Sequence, residues 1–249
     1  MPQHKFSSLC VKENDRTLST SPHQLPIYAT SSFAFDSLEQ GIDIFDGSEQ
    51  GHSYSRYGNP TIDTVANKIG NLESYGTGLN PYSFLTSSGM SAISTLMLGT
   101  LTARDIILTQ SNLYGGTTNL FRDILHNLGI EVLFIDFKDH DAIHRMIAKY
   151  PNIRMIYMES PANPTMNCID IRAICAIAQE RDILTAIDST FCTPYLQRPL
   201  AMGVDFVIHS TTKYLNGHGN SIAGAIIGHK ERSEEHTSEL QSHSDLVCR

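Results

Sequence analysis

Residues 204–214 read VDFVIHSTTKY, a short β-type run, Asp205–Ile208, that passes directly into hydroxyls and a lysine. The run does not alternate apolar with polar, as a strand with one wet face would, so both of its faces are covered. Six more runs share its length: Ser83–Thr86, Asp105–Thr109, Glu131–Ile135, Arg154–Met158, Leu184–Ile187 and Ala223–Ile227. Helical patterns lie between several of them. Ile62, Val65, Ala66, Ile69 and Leu72 recur at three- and four-residue steps behind Asn59-Pro60, a capping residue followed by proline at the first helical position. Leu120, Ile124, Leu125 and Leu128 repeat the pattern up to Gly129, and Ile171, Ile174, Cys175 and Ala178 make a third face. Strands covered on both sides and separated by amphipathic helices predict an α/β domain with a mainly parallel sheet. In such sheets ligands bind beyond the carboxyl ends of the strands.

Outside this region the texture changes. Residues 1–53 are polar, rich in Ser and Thr, and read as an extended arm. Residues 54–230 carry the α/β pattern. Residues 231–249, ERSEEHTSELQSHSDLVCR, hold almost no apolar residue before Leu246 and resemble a translated sequencing-adapter tail, so they are expected to be non-native. The chain of 249 residues is 41% hydrophobic with a formal net charge of −8. That balance, without a basic run, argues against nucleic acid or an anionic membrane as partner. No apolar run approaches the roughly 20 residues of a membrane span, and the N-terminus lacks the apolar core of a secretory signal. The five cysteines are scattered, without C-x-x-C spacing, and read as free thiols in a reducing, cytoplasmic setting.

The chemistry-bearing residues lie where the runs end. A lysine such as Lys213 at the end of a buried strand is costly unless it is neutral, paired or covalently used. Desolvation would lower its pKa and suit it to bond a carbonyl. In Ser210-Thr211-Thr212-Lys213-Tyr214 the flanking hydroxyls suit a phosphate, although the pentapeptide by itself reads more readily as a lysine leaving a strand for solvent. Ser87-Ser88-Gly89-Met90 opens a helix with Ala92, Ile93, Leu96 and Met97 inward. Backbone N–H groups there face outward toward an anion, unless Ser88 is an ordinary cap. Asp188 ends the run 183–187; it is either a turn aspartate or the partner of a pyridine nitrogen, which it would keep protonated. Glu159-Ser160-Pro161-Ala162-Asn163-Pro164 is a proline-stiffened loop that holds Asn163 ready to donate to an oxygen. Tyr114-Gly115-Gly116-Thr117 offers a ring to stack on a flat molecule. Any one of these is weak, and their conjunction at five strand-end loops is the signal.

Two rival chemistries fail on the residues. Neither a G-x-G-x-x-G turn nor a G-x-x-x-x-G-K-[ST] loop is present. His140 and His144 share a helix face, but they sit in a polar stretch without an evident third ligand.

In this order, the segments Tyr54-Ser55-Arg56-Tyr57-Gly58-Asn59-Pro60-Thr61, Ser88-Gly89-Met90, Tyr114–Thr117, Glu159–Pro164, Thr193–Leu200 and His209–Gly219 resemble the transsulfuration family of pyridoxal 5'-phosphate enzymes. That family includes cystathionine gamma-synthase and gamma-lyase, methionine gamma-lyase and O-acetylhomoserine sulfhydrylase. The resemblance implies fold type I, the aminotransferase-like large domain, with a seven-stranded, mainly parallel sheet and helices on both faces. Its activity would be gamma-elimination or gamma-replacement on an amino-acid substrate. It implies Lys213 as the lysine that carries the cofactor, Asp188 at the ring nitrogen, Asn163 at the ring oxygen and Tyr114 over the ring as a proton-transfer aid. Ser88, Gly89, Met90, Ser210 and Thr212 would hold the phosphate, with Glu159 also in the cofactor site. Tyr54 and Arg56 would reach the phosphate of a neighbouring subunit, in a homodimer or homotetramer. Ser189 stands where the family usually has Asn, and Gly116 where methionine gamma-lyases have Cys. The motifs 161–166 and 192–195 nonetheless lean toward that enzyme. The family's small C-terminal domain, source of the arginine that binds the substrate carboxylate, is missing from the sequence, so an inactive fragment that binds cofactor at most is the alternative expectation.

Overall fold

The computed structural model describes residues 5–11 and 23–229; the expected tail, 231–249, lies outside the described residues. All seven predicted strands form: β1 (Pro81–Thr86), β2 (Ile106–Gln110), β3 (Glu131–Ile135), β4 (Ile153–Glu159), β5 (Leu184–Asp188), β6 (Phe206–His209) and β7 (Gly224–His229). They make one sheet in the order β1-β7-β6-β5-β4-β2-β3. Only β7 runs against the others, pairing antiparallel with both β1 and β6. The carboxyl ends of β1, β2, β4, β5 and β6 therefore share one edge of the sheet.

Successive strand residues feed opposite faces. Ile107, Met155, Tyr157, Phe206, Ile208 and Ile226 pack on one side with Ala92, Ile93, Leu96 and Met97 of α4 (Gly89–Thr100). Leu108, Ile156, Met158, Val207 and Ile227 pack on the other with α3 (Pro60–Glu73), α6 (His140–Lys149) and α7 (Ile171–Gln179). Burial on both faces is why these strands lack alternation. The first capping expectation holds, because the Asn59 side chain accepts from Thr61 N, with Pro60 opening α3.

Three expectations change. Ile62 and Val65, read as inward, are 45% and 41% exposed, and of the five periodic positions α3 buries Ala66, Ile69 and Leu72. The predicted helix 120–128 is the short α5 (Gly115–Asn119), then a π-helical turn over Leu120–Leu125 and a 3-10 turn over His126–Leu128. Its wider i to i+5 bonding shifts the inward face, so Phe121 is buried and Ile124 and Leu128 are exposed. The arm is not wholly extended: α1 (Phe6–Val11) and α2 (Leu38–Asp46) lie within it. Among the described residues no helix is long and apolar enough to cross a membrane, and no group of three or more His, Cys, Asp or Glu could hold a metal ion.

Candidate active site

Ser88, Gly89, Met90, Tyr114, Glu159, Asn163, Asp188, Ser210, Thr212 and Lys213 all line one cavity of about 780 Å³ on the shared carboxyl edge of the sheet. Five separate loops deliver them, because parallel strands release their next segments on the same side.

One end of the cavity is built for an anion. Ser88 caps α4, its hydroxyl accepting from Ser91 N at 3.0 Å, so the N–H groups of the first helical turn point outward. A Cβ on Gly89 would lie 2.6 Å from Ser210 Cβ; only glycine lets the two segments meet. Ser210 N donates to Thr190 Oγ1 at 2.8 Å, which ties the loop after β6 to the loop after β5. Thr212 is anchored to Ala223, exchanging hydrogen bonds through its hydroxyl at 3.1 Å each way.

The opposite end is acidic. Glu159 and Asp188 are paired neighbours on adjacent parallel strands. Asp188 Oδ1 accepts from Thr190 N at 2.9 Å. Burial raises its pKa, against the lowering effect of the Thr190 bonds and of the His209 charge. Glu159 is only 4% exposed. Burial first, and the Asp188 charge second, push its carboxyl up to about 7. Beneath both lies Tyr157, whose hydroxyl is pushed well above its ordinary value by burial and by these two acids.

Both Glu159 oxygens are engaged. Oε2 accepts from Tyr114 N at 2.8 Å and Oε1 from Asn163 N at 2.7 Å. Behind it, Gln110 Nε2 donates to Glu159 O at 2.9 Å, while Glu159 N donates to Gln110 Oε1 at 3.2 Å. The Asn163 loop carries two cis peptide bonds, Ser160-Pro161 and Asn163-Pro164. Ser189 is buried, its hydroxyl accepting from Gln197 Nε2.

Lys213 lines the cavity but is exposed in the single chain, so the expected desolvation is not met. It sits not at the end of β6 but four residues on, in a turn where Lys213 N donates to Ser210 O and Lys213 O accepts from Gly217 N. Tyr54 and Arg56 stand apart from the cavity lining. Arg56 Cζ lies 5.3 Å from the Tyr54 ring centroid and 5.1 Å from that of Tyr57.

Sequence reading passed over Thr190 and Gln110. Thr190 was visible as part of a turn after Asp188. Gln110, 4% exposed at the end of an all-buried strand, was visible as a polar residue where an apolar one is expected.

Known proteins are similar to this chain in sequence and in fold. The sequence model described as Cys/Met metabolism PLP-dependent enzyme matches residues 7–246. An L-methionine gamma-lyase of Fusobacterium nucleatum is 42% identical over 212 residues, 85% of this chain and 52% of that protein. A cystathionine gamma-lyase from Lactobacillus plantarum, solved with L-serine, superposes with a TM-score of 0.84 at 32% identity, over 98% of this chain and 59% of its own. A Campylobacter jejuni structure containing N'-pyridoxyl-lysine-5'-monophosphate gives a TM-score of 0.84 at 30% identity, over 93% of this chain and 56% of its own. The chain spans about half the length of the relatives it matches.

Proposed function

The chain belongs to the Cys/Met metabolism PLP-dependent enzymes, and on that premise we propose that it provides the cofactor site of an enzyme acting at the gamma carbon of an amino acid. The reaction is elimination or replacement on a sulfur amino acid or a homoserine ester. The observation that carries this reading is the convergence of five strand-end loops, with Lys213 among them, on one cavity.

The residues present suit pyridoxal phosphate. A glycine that a Cβ would drive into Ser210 leaves room for an anion against the start of α4. At the other end Asp188 is a carboxyl strained by burial, and a protonated ring nitrogen beside it supplies the opposite charge that offsets desolvation. Bound there, pyridoxal phosphate supplies an aldehyde that condenses with amines and a conjugated ring that draws electrons from the attached carbon.

Lys213 Nζ would be the amine that holds the cofactor, and as a free amine it would be the base placed to move the substrate's alpha proton. Asp188 would keep a proton on the ring nitrogen, Tyr114 would cover the ring and Asn163 would donate to the ring oxygen. Ser88, Gly89, Met90, Ser210 and Thr212 would hold the phosphate. Tyr54 and Arg56, apart from their own chain's cavity, serve the phosphate of a neighbouring subunit, where a guanidinium pairs two oxygens at once.

The test combines attachment and turnover. Borohydride reduction of the reconstituted protein and peptide mapping should place the label on Lys213. The enzyme should release 2-oxobutanoate from methionine or cystathionine, or convert O-acetylhomoserine with a thiol. A label on a different lysine, or inertness toward all three compounds, overturns the reading.

A further inference from the structure

We infer that Gln110 and Glu159 form a buried brace that positions Tyr114 and Asn163, so that Glu159 serves the site by holding two loops and not by touching the cofactor. The catalytic consequence rests on the function proposed above; the brace itself does not.

The geometry is that of a two-step relay. Gln110, at the end of β2, clasps the backbone of Glu159 through both atoms of its amide, accepting from N at 3.2 Å and donating to O at 2.9 Å. The same Nε2 donates to Asn112 O at 2.8 Å, which starts the loop toward Tyr114. Fixed in this way, the Glu159 carboxylate takes one backbone N–H from each loop, Tyr114 at 2.8 Å and Asn163 at 2.7 Å. Tyr114 precedes α5 and has no side-chain cap of its own; Asn163 lies in an irregular loop. Neither is held by a strand. A carboxylate with one oxygen on each is the link that keeps the ring cover and the oxygen donor at one spacing.

A carboxylate can accept both bonds, whereas a neutral acid keeps one good acceptor and turns the other oxygen into a donor. The brace is therefore complete only when Glu159 is ionised. The titratable and charged groups around it are Asp188 on β5, Tyr157 on its own strand, Tyr114 on the loop it holds, and Lys213 on the same cavity wall. Its carboxyl titrates at about 7, so loop spacing should respond to pH near neutrality.

Hydrogen exchange of individual amides, read by NMR on the cofactor-free chain, tests this without any turnover. In the parent, protection of the Tyr114 and Asn163 amides, corrected for intrinsic rates, should fall several-fold as pH drops through about 7. Glu159→Gln, an isostere of the neutral acid, should speed exchange at one or both of these amides by the same several-fold factor above that pH and abolish the pH step. Strand amides such as Ile107 and Ile156 should keep their protection. Gln110→Leu should loosen the same two amides. With pyridoxal phosphate added, the circular dichroism of the bound ring should change in both variants. Unchanged exchange at Tyr114 and Asn163 in Glu159→Gln, or a pH step that persists in it, overturns the brace. A brace that passes in a protein lacking gamma-carbon chemistry overturns only the proposed function.

Discussion

At the scale of single residues, Glu159 converts burial into a pH-dependent stability. Its pKa is raised from an ordinary 4.5 to about 7, so the folded state binds a proton more tightly than the unfolded chain between those values. Stability should therefore fall as pH rises through that window and level off above it, by roughly 3 kcal/mol at most. Asp188, shifted in the same direction, adds to the slope. Urea unfolding from pH 4.5 to 7.5 should show a shallower fall in Glu159→Gln than in the parent; parallel curves would refute the assignment. Gly89 makes a second residue-scale case. A methyl there meets Ser210 Cβ at 2.6 Å and Ser210 Cα at 3.0 Å, so the anion end must open. Gly89→Ala should weaken pyridoxal phosphate at least tenfold in a cofactor titration, and an unaltered affinity would remove the phosphate from this end. Asp188 and Gly89 were legible in the sequence because each stands next to a β-type run or opens a helix. The raised pKa of Glu159 was not, because it depends on which strand lies beside β4.

Elements are joined here by polar contacts as well as by apolar faces. Glu73 at the end of α3 and His209 at the end of β6 are both fully buried and meet at 3.1 Å, Oε2 to Nε2. Glu73 Oε1 and His209 Nδ1 make no further hydrogen bond among the described residues. Each group is thus satisfied mainly by the other, and removing one leaves its partner buried and unpaired. Glu73→Ala should lower the unfolding free energy by about 3 kcal/mol and loosen the start of the Lys213 loop, measured as a lower urea midpoint. A midpoint within error of the parent would mean that the pair contributes nothing. Helix periodicity located α3 and α7 well, since both keep regular α geometry and the inward residues of α7 are all buried. It misjudged 120–128, because a π turn is a local choice of hydrogen bonding that apolar spacing does not encode.

For the whole molecule, the proposal that Tyr54 and Arg56 serve a neighbouring subunit can be tested directly. Arg56 lies between Tyr54 and Tyr57, apart from its own chain's cavity. Tyr195, Leu196, Tyr214 and Ile222 are large, apolar and exposed, the kind of surface that association covers. An Arg56→Ala subunit keeps Lys213, and a Lys213→Ala subunit keeps Arg56. Exchanged into hybrids, the two inactive variants should regain part of the activity through the one site built from both intact residues. Demonstrated subunit exchange with no regain would place Arg56 in service of its own chain.

The sequence by itself determined the seven strands, the edge on which chemistry collects and the family, because each of these is written in local runs and in the residues directly following them. Tertiary structure alone decided that Glu159 and Asp188 stand side by side, that Gln110 reaches Glu159 across 49 positions, that Thr190 ties Ser210 to Asp188, and that Lys213 is exposed. Strand order and register decide such matters. Hydrogen bonds between strands bring together residues far apart in the chain, and burial then gives the groups that meet there properties neither has alone.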